Sequence, residues 1–349
     1  MPKTNRRRWL WPAAAVVALG GAAALFGPNL ALEKATLTTL AAEAAQPTPD
    51  RDAANTATVD LAGHVVPVLE GGLFDRYRFN PPLTVVQAER PALDLGWFEG
   101  IAKEKKEVGF TTWSPNFYYD NSSITAIYTA DMASIERLIP AAVRAVVQPI
   151  SFAPGRGLVA ITSYAYHYCD NDNYNELSIS VVTTRPDQGN WGLISLMGQL
   201  NDQSLWGYVL KLPVDTELAR VRGVVGYNLP KWKIPIDYSA EGGTVAFTYY
   251  DVAGNVDFSM TGKKLDTAGA APTVSRMNFV NLDAQGRVTH GYSDVRGVER
   301  ASSRAGGDVE LALGQGPLSS FIRSLGLEKL VRYDYQPVFQ AALYTPEPL

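Results

Sequence analysis

Apolar and polar residues alternate along much of the chain after residue 123. Leu177, Ile179 and Val181 are interleaved with Ser178 and Ser180, the period of a strand with one buried face. Short runs of this kind predict strands at about 124–130, 158–166, 177–184, 205–212, 220–227, 244–250, 255–261, 273–282, 287–296, 308–313 and 335–344. Gly254-Asn255 and Asp283-Ala284-Gln285-Gly286 fall between such runs as hairpin turns. Two stretches carry helical spacing instead. In the first, Asp131 is placed to cap, Met132, Ile135, Leu138 and Ile139 share a face, and Pro140 ends the run. In the second, Pro317 starts, Leu318, Phe321, Ile322 and Leu325 share a face, and Gly326 closes. Residues 62–120 are broken by Gly71-Gly72, Pro81-Pro82 and Pro91, and the run from Lys103 to Glu107 reads as a solvated surface.

Many short strands with two helices do not make a parallel βαβ sheet. The pattern predicts a mainly β (β-rich α+β) domain: an antiparallel barrel or sandwich with few short helices.

The first residues follow a different pattern. Lys3, Arg6, Arg7 and Arg8 precede an uncharged stretch, 9–26, rich in Ala and Gly. A basic start before an apolar run is the composition of an export signal or a membrane anchor. Arg6-Arg7-Arg8-Trp9-Leu10 resembles a twin-arginine signal, with cleavage expected after a small residue such as Ala35 or Ala45. Residues 36–61 are rich in Ala, Thr and Pro and read as a linker. The expected organisation is a signal or anchor over 1–35, a linker over 36–61, and one folded domain over 62–349. The product is expected outside the cytoplasm, or held at the membrane by the N-terminal segment alone.

Composition narrows the chemistry. The chain has 349 residues, 46% apolar, and a net charge of −4. Residues 1–45 hold five basic and two acidic side chains, so the body is more acidic than the whole chain and does not suit a phosphate backbone; no nucleic-acid partner is expected. Cys169 is the single cysteine and excludes an internal disulfide. No nucleophile elbow, Walker loop, dinucleotide fingerprint or zinc-protease motif is present. His167 and Cys169 lack further ligands nearby in sequence, and Asp170-Asn171-Asp172-Asn173 lacks the glycine and distal glutamate of a calcium loop, so it reads as a polar surface turn.

One segment does carry chemistry. Gly226-Tyr227-Asn228-Leu229-Pro230-Lys231-Trp232-Lys233 sets two lysines in an apolar, aromatic stretch. A lysine is nucleophilic only as the free amine, and desolvation or a neighbouring cation lowers its pKa toward neutrality. Lys233, Trp232 and Tyr227 are candidates for that environment and for substrate contact. Both lysines could equally lie on a strand edge with their heads in water.

Further residues fall into a family pattern. Ile127-Tyr128-Thr129-Ala130-Asp131, the helix ending Leu138-Ile139-Pro140, then Tyr174-Asn175-Glu176, Pro230-Lys231 and the C-terminal helix and strand resemble the acetoacetate decarboxylase-like family in order and spacing. The resemblance covers roughly residues 75–345. It implies a β-barrel or cone enclosing an apolar cavity, Lys231 as the Schiff-base lysine, and Glu176 as an acidic group of the cavity. It implies no cofactor or metal, a small oxo acid or other carbonyl substrate, and leaves room for a homo-oligomer. Three positions depart from the pattern: Trp232 stands where a second lysine is usual, Ser122 where an arginine is usual, and 158–162 contains no second acid. Arg76 or Arg78 could supply the missing cation. The expected function is a Schiff-base carbon–carbon lyase. The alternatives are an aldolase-dehydratase reaction on oxo acids, or a non-catalytic barrel binding an apolar ligand.

Overall fold

The computed structural model describes residues 32–40 and 50–349. Its first five strands are β1 (Leu37–Thr39), β2 (Ala57–Leu61), β3 (His64–Val68), β4 (Glu104–Glu107) and β5 (Thr111–Ser114). Then come β6 (Asn116–Asp131), β7 (Arg156–Cys169), β8 (Tyr174–Val182), β9 (Ser204–Lys211), β10 (Ile236–Ser239) and β11 (Thr244–Tyr250). The last are β12 (Val256–Lys263), β13 (Thr273–Leu282), β14 (Val288–Ser303), β15 (Val309–Leu313) and β16 (Leu330–Pro348).

Seven strands close a barrel in the order β13-β14-β16-β6-β7-β8-β9. Every neighbouring pair is antiparallel except β13 and β9, which complete the ring in parallel. A five-stranded sheet, β1-β15-β12-β11-β10, packs on its outside, and β2-β3 and β4-β5 form two hairpins. The alternation seen in the sequence decides which side is which. Val159, Ile161 and Ala165 of β7 and Leu177, Ile179 and Val181 of β8 form one core with Phe247, Phe258 and Met260 of the outer sheet. The alternate residues turn inward. Tyr118, Tyr164, Tyr166, Tyr174, Phe339, Ala341 and Val295, from five barrel strands, meet in one cluster. Val209 and Phe279, from the other two, meet Leu343 beside it. Side chains from all seven strands can converge only on a concave inner face.

One end of the barrel is closed by the segment 212–234. Its middle is a helix, Glu217–Val221 continuing as a wider π turn over Arg222–Gly226. This corrects the strand expected at 220–227. Val221, Val224 and Val225 favour a strand locally, but Leu218 and Val221 bury against Leu61, Val66 and Val68 of the β2-β3 hairpin, while Ala219 meets the inner cluster. Burial on two sides at helical spacing outweighs intrinsic preference. The two helices expected from spacing are present, Met132–Leu138 capped by the Asp131 carboxylate and Pro317–Ser324. Residues 62–120 contain three short helices in addition, Leu73–Tyr77, Leu83–Glu89 and Gly96–Glu99.

Two surface readings are also corrected. The Lys103 ammonium is buried, donating to the Phe79 carbonyl and to Asp170 at 2.5 Å. Asp170 is no surface turn residue: its carboxylate also accepts from the Phe117 N–H, Asn116 and the Tyr119 hydroxyl. A buried carboxylate persists when its lone pairs are filled in this way.

The described parts of 36–61 do not run as a free linker. Leu37–Thr39 pairs in parallel with β15, and Lys34 bridges to Lys329. Arg51–Ala54 forms a 3-10 turn, and Ala57–Leu61 is a hairpin strand. The apolar run 9–26 lies outside the described residues. Among the described residues no helix is long and apolar enough to cross a membrane.

Candidate functional site

Lys231 and Glu176 meet inside the closed end of the barrel. Glu176 lies on the inward face of β8, directly across from Tyr164 of β7. Val214 then pairs with Glu176 on one side and with Lys233 on the other. The main-chain bonds from Val214 to Trp232 and from Ile234 back to Val214 fix this segment at 3.0 and 2.9 Å. Lys231 is thereby delivered to the inner face of the barrel beside Glu176. Its Nζ donates to Glu176 Oε2 at 2.5 Å, and the two side chains are only 6% and 8% exposed.

The surroundings are aromatic. The Tyr166 hydroxyl donates to Glu176 Oε1 at 3.1 Å. The Tyr174 ring lies under the Lys231 ammonium, 5.5 Å from Nζ to the centroid. Tyr164 and Tyr166 stack with centroids 5.4 Å apart and planes within 9°, and Phe339 meets both edge-on. Tyr164, Tyr166 and Val295 face inward, deep in the fold, yet keep some accessible surface.

The Lys231 stem runs along the backbone of Gly223. A Cβ built there would come within 2.3 Å of Lys231 Cδ and 2.6 Å of Cε. The π turn thus opens a groove that only glycine leaves free.

Burial lowers the pKa of Lys231, with Glu176 opposing the shift and the Arg222 charge adding to it. Arg222 is the cation that sequence reasoning missed. It is 2% exposed and pairs with no carboxylate among the described residues, donating instead to the Tyr118 hydroxyl at 3.2 Å and the Tyr227 hydroxyl at 2.7 Å. Its guanidinium also lies against the rings of Phe79 and Tyr227. Tyr118 in turn bonds Tyr174 at 3.1 Å, linking Arg222 to the floor beneath Lys231. No single sequence signal marks this set, because Tyr118, Tyr166, Tyr174 and Arg222 meet only once the barrel closes.

The other expected site residues fall elsewhere. Lys233 points away from Lys231 and is held by Asp50 and Asp52, at 2.8 and 2.6 Å. Burial works against its charge, but these carboxylates outweigh that and raise its pKa. It is not the neighbouring cation of Lys231. Trp232 packs against the outer core and under the Lys211 ammonium. Tyr227 touches Arg222 rather than the lysine. Ser122 faces the outer sheet, bonding His167 at 3.0 Å and Tyr238 at 3.1 Å. Arg76 and Arg78 pair with Glu89 and Asp75 on the surface and do not replace the missing arginine. Beside the site lies a polar cleft of about 330 Å³ lined by Arg51, His167, Asp215 and Tyr238 among others. Among the described residues no group of His, Cys, Asp and Glu is arranged to hold a metal.

No family model matches the sequence, and no curated protein does. Solved structures do match. The acetoacetate decarboxylase of Legionella pneumophila aligns with 68% of this chain and 87% of its own, at 11% identity and a TM-score of 0.50. A second acetoacetate decarboxylase structure aligns with 68% and 89%, at 14% identity and a TM-score of 0.48. An enduracididine biosynthesis enzyme, complexed with a condensation product of pyruvate and imidazole 4-carboxaldehyde, aligns with 67% and 89%, at 13% identity and a TM-score of 0.47. The chain has the acetoacetate decarboxylase fold.

Proposed function

We propose that this chain is a Schiff-base-forming carbon–carbon lyase of the acetoacetate decarboxylase-like superfamily, acting on a small β-keto acid or other oxo compound through Lys231. The observation that carries the reading is the buried Lys231–Glu176 pair at the closed end of the barrel. Burial disfavours the Lys231 ammonium, and its bonded neighbour Glu176 is placed to take the proton from Nζ, leaving a free amine. The amine adds to a carbonyl carbon, and Glu176 protonates the departing hydroxyl, which leaves as water. The iminium then accepts the electron pair of a breaking bond to the α-carbon, giving an enamine. Glu176, having taken a new proton from solvent, passes it to that carbon, and water adds to the iminium so formed to release the product and the lysine. Tyr166 holds the carboxylate in place through these transfers.

Borohydride reduction with a panel of ketones, aldehydes and oxo acids tests the proposal. A mass increase on Lys231 is expected, lost in Lys231→Ala and retained in Lys233→Ala. Trapping that survives Lys231→Ala but vanishes in Lys233→Ala would reverse the assignment. No adduct on the wild type with any carbonyl compound would favour a ligand-binding barrel. We further propose that residues 1–35 export or anchor the protein, which cell fractionation of the full chain would show.

A further inference from the structure

We infer that the segment 189–201 docks the folded domain on a lipid bilayer, with Trp191 and Ile194 entering the headgroup layer. The inference rests on the membrane anchor proposed for residues 1–35 and adds which face of the domain meets the membrane. No ionisable residue occurs from Gln188 to Asn201. The helix Leu193–Asn201 buries Leu196 and Gln199, while Trp191 is 74% and Ile194 75% exposed. The Ile194 N–H donates back to the Trp191 carbonyl at 3.3 Å, which keeps the two residues next to each other.

The loop that presents Trp191 is firmly built. The Asn190 side chain donates to the Pro149 carbonyl at 2.7 Å and accepts from the Gly192 N–H at 3.2 Å. The Ser195 hydroxyl accepts from the Trp191 N–H at 3.0 Å. Gly192 takes a φ of +60°, and a Cβ there would come within 2.7 Å of the Ser151 carbonyl oxygen. Two large apolar side chains are thus held out in water, a cost that contact with a bilayer removes. An indole, with an apolar body and one N–H, suits the headgroup level.

The place where the chain enters the fold says what covers this face. Leu32 packs on the cluster of Ile150, Leu158, Leu196 and Val331, on which Leu193 and Leu200 of the helix also pack. The next residues are tied down there. The Glu33 carbonyl accepts from the Leu330 N–H at 2.9 Å, and the Ala35 N–H donates to the Glu328 carbonyl at 2.8 Å. The uncharged run 9–26 ends six residues before Leu32, and six residues reach at most about 20 Å. A membrane holding that run therefore lies within reach of the helix. So short a tether gives the domain a high effective concentration at the bilayer, and a contact of two side chains, weak by itself, is enough to orient it. Because the face carries no charge, phosphatidylcholine alone should receive it.

The test places a fluorophore on the full chain at Ile194→Cys or, for reference, at Val252→Cys, and reconstitutes each into phosphatidylcholine vesicles. Val252 is 98% exposed in the turn between β11 and β12, and the buried Cys169 is shielded from labelling. With nitroxide-bearing phosphatidylcholine in the vesicles, the probe at 194 is expected to be quenched roughly twofold or more, the depth being that of an interfacial side chain. The probe at 252 should keep its emission. Adding Trp191→Ser should remove most of the quenching at 194 without moving the thermal midpoint. An unquenched probe at 194 on chains that float with the vesicles, or quenching untouched by Trp191→Ser, would overturn the inference and leave the anchor standing. Energy transfer between two chains labelled at 194, in place of quenching by lipid, would give the face to a second copy and overturn it too. Chains that do not float with the vesicles at all would overturn both the inference and the anchor.

Discussion

Gly223 lacks the side chain that would collide with the Lys231 stem, and the two positions explain each other. Gly223→Ala suits a helix, so its cost falls on the lysine stem that the new Cβ would meet. The variant is expected to hold its thermal midpoint while its trapping rate falls, by roughly a hundredfold if Nζ moves about 1 Å. Asp215 offers a separate check through pH. Burial pushes its carboxyl up from 3.8 to about 7, with Arg51 opposing. The folded state thus holds a proton between those values that the unfolded chain has released, and stability falls as pH rises through that window. Asp215→Asn is expected to flatten the fall, as read from thermal midpoints at pH 4 to 7.5. Of the site residues, Lys231 and Glu176 were legible in the sequence, through Pro230-Lys231 and Tyr174-Asn175-Glu176. The cation near the lysine, Arg222, was not. Spacing two residues apart suggested Lys233, but 229–233 is not a regular strand, so that spacing does not put both lysines on one face.

At the level of elements, legibility followed locality. The helices at 132–138 and 317–324 carry their own start and stop residues, and the long alternating strands carry their own period. The helix at 217–226 does not, because its stability comes from the hairpin on one side and the barrel on the other. The same dependence makes it sensitive at its start. The Thr216 hydroxyl accepts from the Ala219 N–H, and the Asp52 carboxylate accepts from the Glu217 N–H at 2.8 Å. Thr216→Ala is expected to cost about 1 kcal/mol, the usual worth of an N-cap. Asp52→Ala also strips Lys233 of its nearest carboxylate and should cost about 1–3 kcal/mol. Denaturant titration measures both. If Asp52→Ala leaves stability unchanged, the tie between residues 50–52 and the Lys231 segment is slack.

For the molecule as a whole, composition misplaced the start of the folded body. Ala, Thr and Pro in place of larger side chains made 36–61 resemble a spacer, yet a strand of three residues needs no hydrophobic period when its partner supplies the ladder. A chain beginning at residue 56 loses β1 and the contacts of Asp50, Arg51 and Asp52. It is expected to melt at a lower temperature than one beginning at residue 32. β1 is also the outermost strand of the five-stranded sheet, lying against β15. Remove it, and β15 presents a bare row of N–H and C=O groups, a template for any extended chain. In such truncations the first fault to look for is therefore self-association: particles that grow with protein concentration, seeded by molecules that are otherwise still folded.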